Sequence, residues 1–388
     1  MDVWDLNLRH LRAVLKIAEL GTVSAATVAV NLSQPAITQA LGRLEAALQL
    51  PLFERRHDGM VPTPAGRTLQ ARIAAALLHV RSPHVTMSRL RALLALADSG
   101  SYAGASQETG LSLPSIHRAV NDLALALRRP LVVRRGKHVV LTEAGAQHAR
   151  EFRLAAVELE AGLSEIEALR GHETRRIAIG AMPLSRARVL PAAVARFHAR
   201  RPQVRLTIVE GSRAELVEPL RNGTLDVMVG ALRSPLVEAD LEQRELFEDV
   251  PSFIARKGHP LMGTAPDAAA LAAYPFCLPA RGTPLRDSFE RYFEEHGQSP
   301  RVPLESGSVM MIRQMMMNSD FLTLLSRDQV PVELEAGWLC ELAPLPATFH
   351  RVIGMTTRQS LRPTTVQEEF FADLAQAARE MPEETPRQ

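Results

Sequence analysis

Between Ser33 and Arg43 the chain reads SQPAITQALGR, and its polar side chains fall on one face of a helix. Gln34, Ala36, Thr38, Gln39 and Arg43 lie opposite Ile37, Leu41, Leu44 and Leu48, which recur at the spacing of a buried helical stripe. A helix start that offers Gln, a small Ala and Thr can enter a DNA major groove. There Gln bonds adenine edges and small side chains meet a thymine methyl. Ser33 is placed to cap this helix, Pro35 is tolerated in its first turn, and the free amides there suit a phosphate. Arg43, Arg55 and Arg56 are cations set to hold backbone phosphates and fix register rather than read bases.

The elements needed to present that face can be read on either side of it. Leu8, Leu11, Val14, Leu15 and Ala18 recur at helical spacing, and Gly21 is placed to stop that helix. A short Ala-rich helix follows from about Thr22 to Val30, and Asn31-Leu32 makes a tight turn into the longer helix. After Pro51, LFERRHDGMVPT gives two short extended pieces around His57-Asp58-Gly59, a hairpin tip. Helix, short helix, turn, longer helix, hairpin is the order of a winged helix-turn-helix.

The same segment occurs twice. Shifting the chain by 79 places brings residues 11–66 onto 90–145 without a gap. Leu32-Ser33 falls on Leu111-Ser112, Pro51-Leu52 on Pro130-Leu131, and Thr63-x-Ala65-Gly66 on Thr142-x-Ala144-Gly145. Roughly a third of the positions are identical, which points to a duplicated module. The groove-facing positions change most: Gln34 becomes Leu113, Thr38 becomes His117, Gln39 becomes Arg118 and Arg43 becomes Asp122. Ser112, Ser115, Arg118, Arg134 and Arg135 remain as auxiliary DNA contacts, and Arg128, Arg129 and Lys137 keep the copy basic. Three roles are open to it: a second reader, a backbone clamp, or a spacer and dimerisation element. The loss of Gln34 and Arg43 favours the clamp or the spacer.

Each copy ends in a helix starting at its Ala-Gly pair. The first, Ala65 to about Arg81, reads as a short connector. The second runs from about Glu143 to Arg170, with Phe152, Ala156, Leu159, Leu163 and Ile166 alternating at spacings of four and three. That stripe calls for a partner helix, on a second subunit or, less readily for so long a helix, on the chain's own domains.

At 388 residues the chain has room for two or three cored domains, and 46% hydrophobic with 23% charged residues is a globular composition. No apolar run approaches a membrane span, no signal peptide or anchor is evident, and Cys277 and Cys340 are the two cysteines. A reducing cytoplasm is the expected location, without disulfides or metal, and both cysteines read as buried apolar residues. Basic residues exceed acidic ones by 20 to 15 through Arg170, then fall short by 25 to 28, as for a nucleic-acid module joined to something else.

From Arg176 short apolar strands alternate with amphipathic helices: IAIGAM, LSRARVLPAAVARFHARRP, VRLTIVEG, SRAELVEPLRNGT, LDVMVGAL. That alternation predicts a parallel, doubly wound sheet. A second lobe is expected to begin at LFEDVPSFIARKGHPL. In such folds ligands sit beyond the carboxyl ends of the strands, against loops and helix starts. The candidates are Pro183 and Ser185 after the first strand, Ser212 at a helix start, and Gly282, Thr283 and Arg286 in ARGTPLR. Ser306 and Ser308 open a Met-rich helix. Their hydroxyls and amides suit a carboxylate, phosphate or sugar oxygen, while simple N-capping explains Thr283 and Ser308 equally well. The methionines of that helix read as adaptable core. No nucleophile elbow, phosphate loop, HExxH or Cys/His pair is found, and the histidines share no spacing.

SQPAITQALGRLE followed by LPLFER and TPAG resembles the DNA-binding domain of LysR-type transcriptional regulators. The back half, with GHPL where members usually carry it, fits the same family. PARGTPLRDSF is similar to the branch that includes the galactose-binding-protein regulator. The resemblance implies an α+β multidomain chain: tandem winged helix-turn-helix domains, a long linker helix, and a two-lobed α/β effector domain like the periplasmic binding proteins. The second copy is a departure, since ordinary members have one. The family's second lobe crosses back to the first, near residues 345–375 here, and its linker helix pairs subunits.

The expected domains are 1–66, the first winged helix; 67–83, a connector helix; 84–146, the second winged helix; 147–171, the linker and dimerisation helix; and 172–388, the effector domain. Expected partners are double-stranded operator DNA, a small effector such as an organic acid or sugar, RNA polymerase, and further copies in a homodimer or homotetramer. No cofactor and no membrane partner is expected. The alternative is an enzyme or ligand carrier on the two-lobed fold, with the helix-turn-helix copies serving protein-protein contacts; it leaves the DNA-suited residues without a role.

Overall fold

The computed structural model describes residues 1–57, 59–136, 138–171 and 176–381, in two compact units, Met1–Arg175 and Arg176–Gln388. Asp58, part of the expected hairpin tip, and Lys137 lie outside the described residues.

The first unit opens with a short 3-10 turn, Val3–Asp5. Then come α1 (Leu8–Leu20), α2 (Val23–Val30), α3 (Gln34–Leu48), the antiparallel hairpin β1 (Phe53–Arg56) and β2 (Gly59–Pro62), and α4 (Pro64–His79). The order then repeats: α5 (Met87–Ser99), α6 (Tyr102–Thr109), α7 (Leu113–Leu127), hairpin β3 (Val132–Arg135) and β4 (His138–Leu141), and α8 (Glu143–Leu169). Every boundary recurs at the 79-residue offset until α8 outruns α4. Gly21 and Gly100 end α1 and α5 in the left-handed region, as do Asn31 and Gly110 for α2 and α6, so the chain reverses at equal points.

The shared Thr-x-Ala-Gly has a packing reason. The Thr63 and Thr142 hydroxyls each accept from the amide three residues on and donate to the carbonyl of Pro51 or Pro130 at 2.7 Å. A Cβ on Gly66 would lie 2.0 Å from the Leu52 carbonyl oxygen, and one on Gly145 2.0 Å from that of Leu131. Only glycine lets α4 and α8 start against the entry to their hairpins.

Two expectations change here. Helix α4 does more than connect: it packs along α8, and both enter one apolar cluster with α1, α3 and α5. The stripe Phe152, Ala156, Leu159, Leu163, Ile166 is therefore buried within the chain and is not left for a second subunit. Periodicity specified a partner helix but could not name it, because α4 supplies the same kind of face.

The second unit holds two lobes. The first has β5 (Arg176–Ala181), α9 (Val189–Arg200), β6 (Arg205–Glu210), α10 (Arg213–Arg221), β7 (Val227–Ala231) and β8 (Leu241–Asp249). The second runs through β9 (Ser252–Arg256), α11 (Ala268–Ala272), β10 (Cys277–Leu278), α12 (Pro284–Glu295), β11 (Leu304–Glu305), α13 (Val309–Met316), β12 (Thr323–Leu325), α14 (Pro331–Glu335) and β13 (Leu339–Pro344). The chain then returns to the first lobe with β14 (Arg351–Arg358) and α15 (Thr365–Arg379), as the crossing back near 345–375 required. The first sheet, β6-β5-β7-β14-β8, is parallel only in its first three strands, because the returning β14 runs antiparallel to β7 and β8. The second lobe starts later than expected: Leu246–Asp249 closes the first sheet as part of β8, and β9 opens the second, β12-β9-β13. Each lobe keeps its own apolar core.

Candidate nucleic-acid interface and ligand cleft

On α3, Ile37, Ala40, Leu41, Leu44 and Leu48 are buried, which turns Gln34, Pro35, Thr38, Gln39 and Arg43 outward with Ala36 half-buried beside them. Ser33 sits at the N-cap position with extended backbone, but its exposed hydroxyl makes no capping bond. That corrects the expected cap and leaves the hydroxyl and the first-turn amides open to a phosphate. The wing is fastened beside this face. The Glu45 carboxylate accepts from the amides of Leu52 (2.7 Å) and Phe53 (3.2 Å), and Met60 N–H donates to the Gly21 carbonyl at 2.7 Å. Arg55 and Arg56 are exposed on β1, Arg56 alongside Glu54 at 3.0 Å. Burial first, then the charges of Arg43 and Arg9, push the His10 imidazole below its usual value. The shift disfavours a second positive charge beside Arg43.

The second copy presents the same frame with other groups. Ser112 caps α7 through the Ser115 amide, and the two hydroxyls lie 2.8 Å apart, so both side chains are engaged with each other. Arg118, Arg134 and Arg135 are exposed. Asp122, at the Arg43 position, meets Arg89 at 3.4 Å. His117 stacks on Tyr102 with ring centroids 3.6 Å apart. Burial raises the Tyr102 hydroxyl, opposed by the nearby charge of Arg134. Ala124 stands where Glu45 stands in the first copy, so this wing lacks the carboxylate clasp.

In the second unit the loops converge on a cleft of about 810 Å³. Of the expected residues, Pro183, Ser212, Thr283, Ser306 and Ser308 line it. Ser185 does not: it is fully buried and donates to the Met182 carbonyl at 2.9 Å. Gly282 is a left-handed turn residue outside the lining, its carbonyl accepting from Arg233 at 2.9 Å. Arg286 is buried and turned away, bonded to Glu290 (2.8 Å) and Glu305 (3.3 Å). Helical phase explains the last miss, since Arg286 falls on the core side of α12 with Leu285 and Phe289. Thr283 and Ser308 do cap their helices, accepting from the Arg286 and Met311 amides.

Sequence reading missed the arginines. Arg186, Arg213, Arg233 and Arg351 line the cleft, against Glu210 and Glu215. Arg186 pairs with Glu210, Arg213 with Glu238 (2.6 Å), and Arg351 with the buried Asp249. Arg213 Nη1 is buried without a hydrogen-bond partner, an arrangement that favours an incoming acceptor. Glu215 is held below the usual carboxylate range by the Ser212 amide and hydroxyl. The starts of α10, α12 and α13 add partial positive charge. Arg213 follows the chosen Ser212, a findable signal; Arg351 arrives on the returning strand and had none. Met310 lines the cleft and is exposed, which departs from the core role read for that helix. Cys277 is buried with its thiol pushed up to about 11, whereas Cys340 is half-buried. Among the described residues no His, Cys, Asp and Glu group could hold a metal, and no helix is long and apolar enough to cross a membrane.

A model for the LysR substrate binding domain matches residues 170–379, and one for the bacterial regulatory helix-turn-helix protein of the lysR family matches 8–67 and again 87–146. The transcriptional regulator GalR of Pseudomonas putida is 33% identical over 92% of this chain and 94% of its own length. The SDS degradation transcriptional activation protein of a Pseudomonas species is 29% identical over 70% of this chain and 90% of its own. Only coverage as full as the first must run through both helix-turn-helix segments. In fold, ArgP from Mycobacterium tuberculosis matches 75% of this chain and 97% of its own at TM-score 0.61 and 18% identity. A full-length OxyR variant from Pseudomonas aeruginosa matches 76% and 95% at 0.56 and 22%. GalR and the SDS degradation protein are named for transcriptional regulation and activation. This chain belongs to the LysR family: it is a transcriptional regulator that joins a DNA-binding helix-turn-helix domain to a two-lobed effector-binding domain.

Proposed function

We propose that α3 is the reader of this regulator. Gln34, Ala36, Thr38 and Gln39 meet base edges, Ser33 and the first-turn amides meet a phosphate, and Arg43, Arg55 and Arg56 hold the backbone. The observation that carries this is the exposure of that whole polar face while every apolar residue of the stripe is buried. The second element set is read as a duplicated, diverged copy whose Arg118, Arg134 and Arg135 hold the DNA backbone without base reading. The family model matching twice, at one offset, supports this. The protein then works where the chromosome is, in the cytoplasm. The buried stripe on α8 means that dimers or tetramers of whole chains must assemble through other surfaces.

The cleft is proposed to take a small organic acid. Its four arginines and the buried, unpartnered Arg213 Nη1 favour a carboxylate over a sugar. An effector shifts the protein only by binding one state better than another, so closure of the lobes on an anion is proposed to change DNA geometry. Gel-shift titration on the DNA upstream of its own gene tests the reader. Gln34→Ala should lose about tenfold or more in specific affinity, the worth of one bidentate base contact, and Leu113→Ala almost none. Equal losses from the two would refute the assignment. For the cleft, calorimetry with a panel of carboxylates should give binding that Arg213→Ala removes.

A further inference from the structure

We infer that one chain is by itself a complete two-headed DNA clamp, its winged helices held as an internal pseudo-dimer by α4 and α8. This rests on the DNA reading above.

The observation is one of register. The offset that superposes the two copies also superposes the faces by which α4 and α8 are buried. Ile73 matches Phe152, Ala76 matches Ala155 and Val80 matches Leu159, and all six are at most 1% exposed in the cluster the helices share. An interface that uses the same patch from both sides is the mark of two-fold pairing. Here both patches belong to one chain. Gly162 brings the helices close: a Cβ there would lie 2.9 Å from Arg72 Cβ. The Arg72 guanidinium is buried between Glu158 (2.9 Å) and Glu165, both on α8. Burial works against that charge, and the two carboxylates outweigh it, raising Arg72 above its ordinary value.

Contacts away from the helix pair fix the copies further. Trp4, on the first copy's N-terminal turn, lies under Arg91 of the second at 5.8 Å. Arg12 donates to the Val80 and Ser82 carbonyls of the segment between the copies, at 3.1 and 2.9 Å. Arg170, after α8, reaches Gln49 at the end of α3. The winged helices therefore cannot swing independently. They meet one duplex as a rigid, unequal pair, one reading bases and the other gripping neighbouring backbone, so one chain covers two segments of the duplex.

Full-length protein is incubated with a random-sequence duplex pool. The enriched duplex is footprinted with hydroxyl radicals, and chains per duplex are counted by native mass spectrometry. Two protected segments per chain are expected. The triple variant Arg118→Ala, Arg134→Ala, Arg135→Ala should lose one segment of each pair and lower the slope of log K against log salt by about 2 to 3. One segment per chain, unchanged in the triple variant, overturns the inference and leaves the first reader intact. No enrichment overturns the DNA reading, and the inference with it. Exchange of helices between chains is tested by charge reversal. Arg72→Glu should be rescued by Glu158→Arg with Glu165→Arg in the same chain; rescue by co-expressing the two reversals on separate chains overturns the internal pairing.

Discussion

The two segments matched by the helix-turn-helix family model share a skeleton and differ where they face solvent. Gly66 and Gly145 close the same turn, Thr63 and Thr142 make the same bonds, and the helix limits coincide. Around that skeleton one pair of positions has changed sign. In the first copy His10 and Arg43 are neighbours, and the repulsion helps keep His10 neutral. In the second the equivalent Arg89 and Asp122 form an ion pair. One arrangement leaves a cation for a phosphate; the other neutralises it within the protein. Packing constraints act on backbone positions that a side chain would destroy, whereas the solvent-facing positions are bound only by what they touch.

Breaking the helix pair should have the largest effect. Arg72→Ala leaves Glu158 and Glu165 half-desolvated without a cation, a loss of about 3 to 5 kcal/mol. The equivalent Glu151→Ala should cost less, about 1 kcal/mol, because the His148–Glu151 pair is less buried than Arg72 and Glu158. Urea unfolding of the first unit measures both. Next come Gly66→Ala and Gly145→Ala. Each drives a methyl into a carbonyl, so each should cost about 3 kcal/mol, with matching shifts in midpoint; unequal losses would show that the shared turn is not equally tight. Glu45→Ala removes the acceptor for two wing amides, at about 2 kcal/mol in the same assay, and Ala124→Glu should recover part of that in the second copy.

The smallest effect sharpens the electrostatic contrast. His10 binds its proton less readily folded than unfolded. Its share of the stability is therefore full above pH 6.5 and is lost as pH falls from 6.5 through the lowered folded value, where the unfolded chain takes up the proton first. His10→Gln should flatten that stretch of the stability curve. The second copy carries Arg89 at the same place and has no such titration.

Local patterns placed the helices of the first unit to within a few residues, because Gly21, Asn31 and the Pro-bearing helix starts act within one turn of chain. The exposed face of α3 was equally legible, since burying Ile37, Leu41, Leu44 and Leu48 leaves Gln34, Thr38 and Gln39 nowhere to go but out. The cleft was half legible. Thr283 and Ser308 were found because a helix start advertises its own donors, whereas Arg286 turned inward with the phase of α12.

Short-range chemistry made three things legible in the chain: an element pattern that recurs at one offset, an exposed polar face on α3, and a two-lobed domain after Arg176. Which surfaces meet depended on long-range packing. The stripe on α8 demands an apolar partner and is indifferent to its source; α4 of the same chain fills it, with Arg72 held by Glu158 and Glu165 and Gly162 permitting the close approach. Likewise Arg351 and Arg213 lie far apart in sequence and become one cationic wall only when β14 returns to the first sheet, a pairing set by long-range packing rather than by any local pattern.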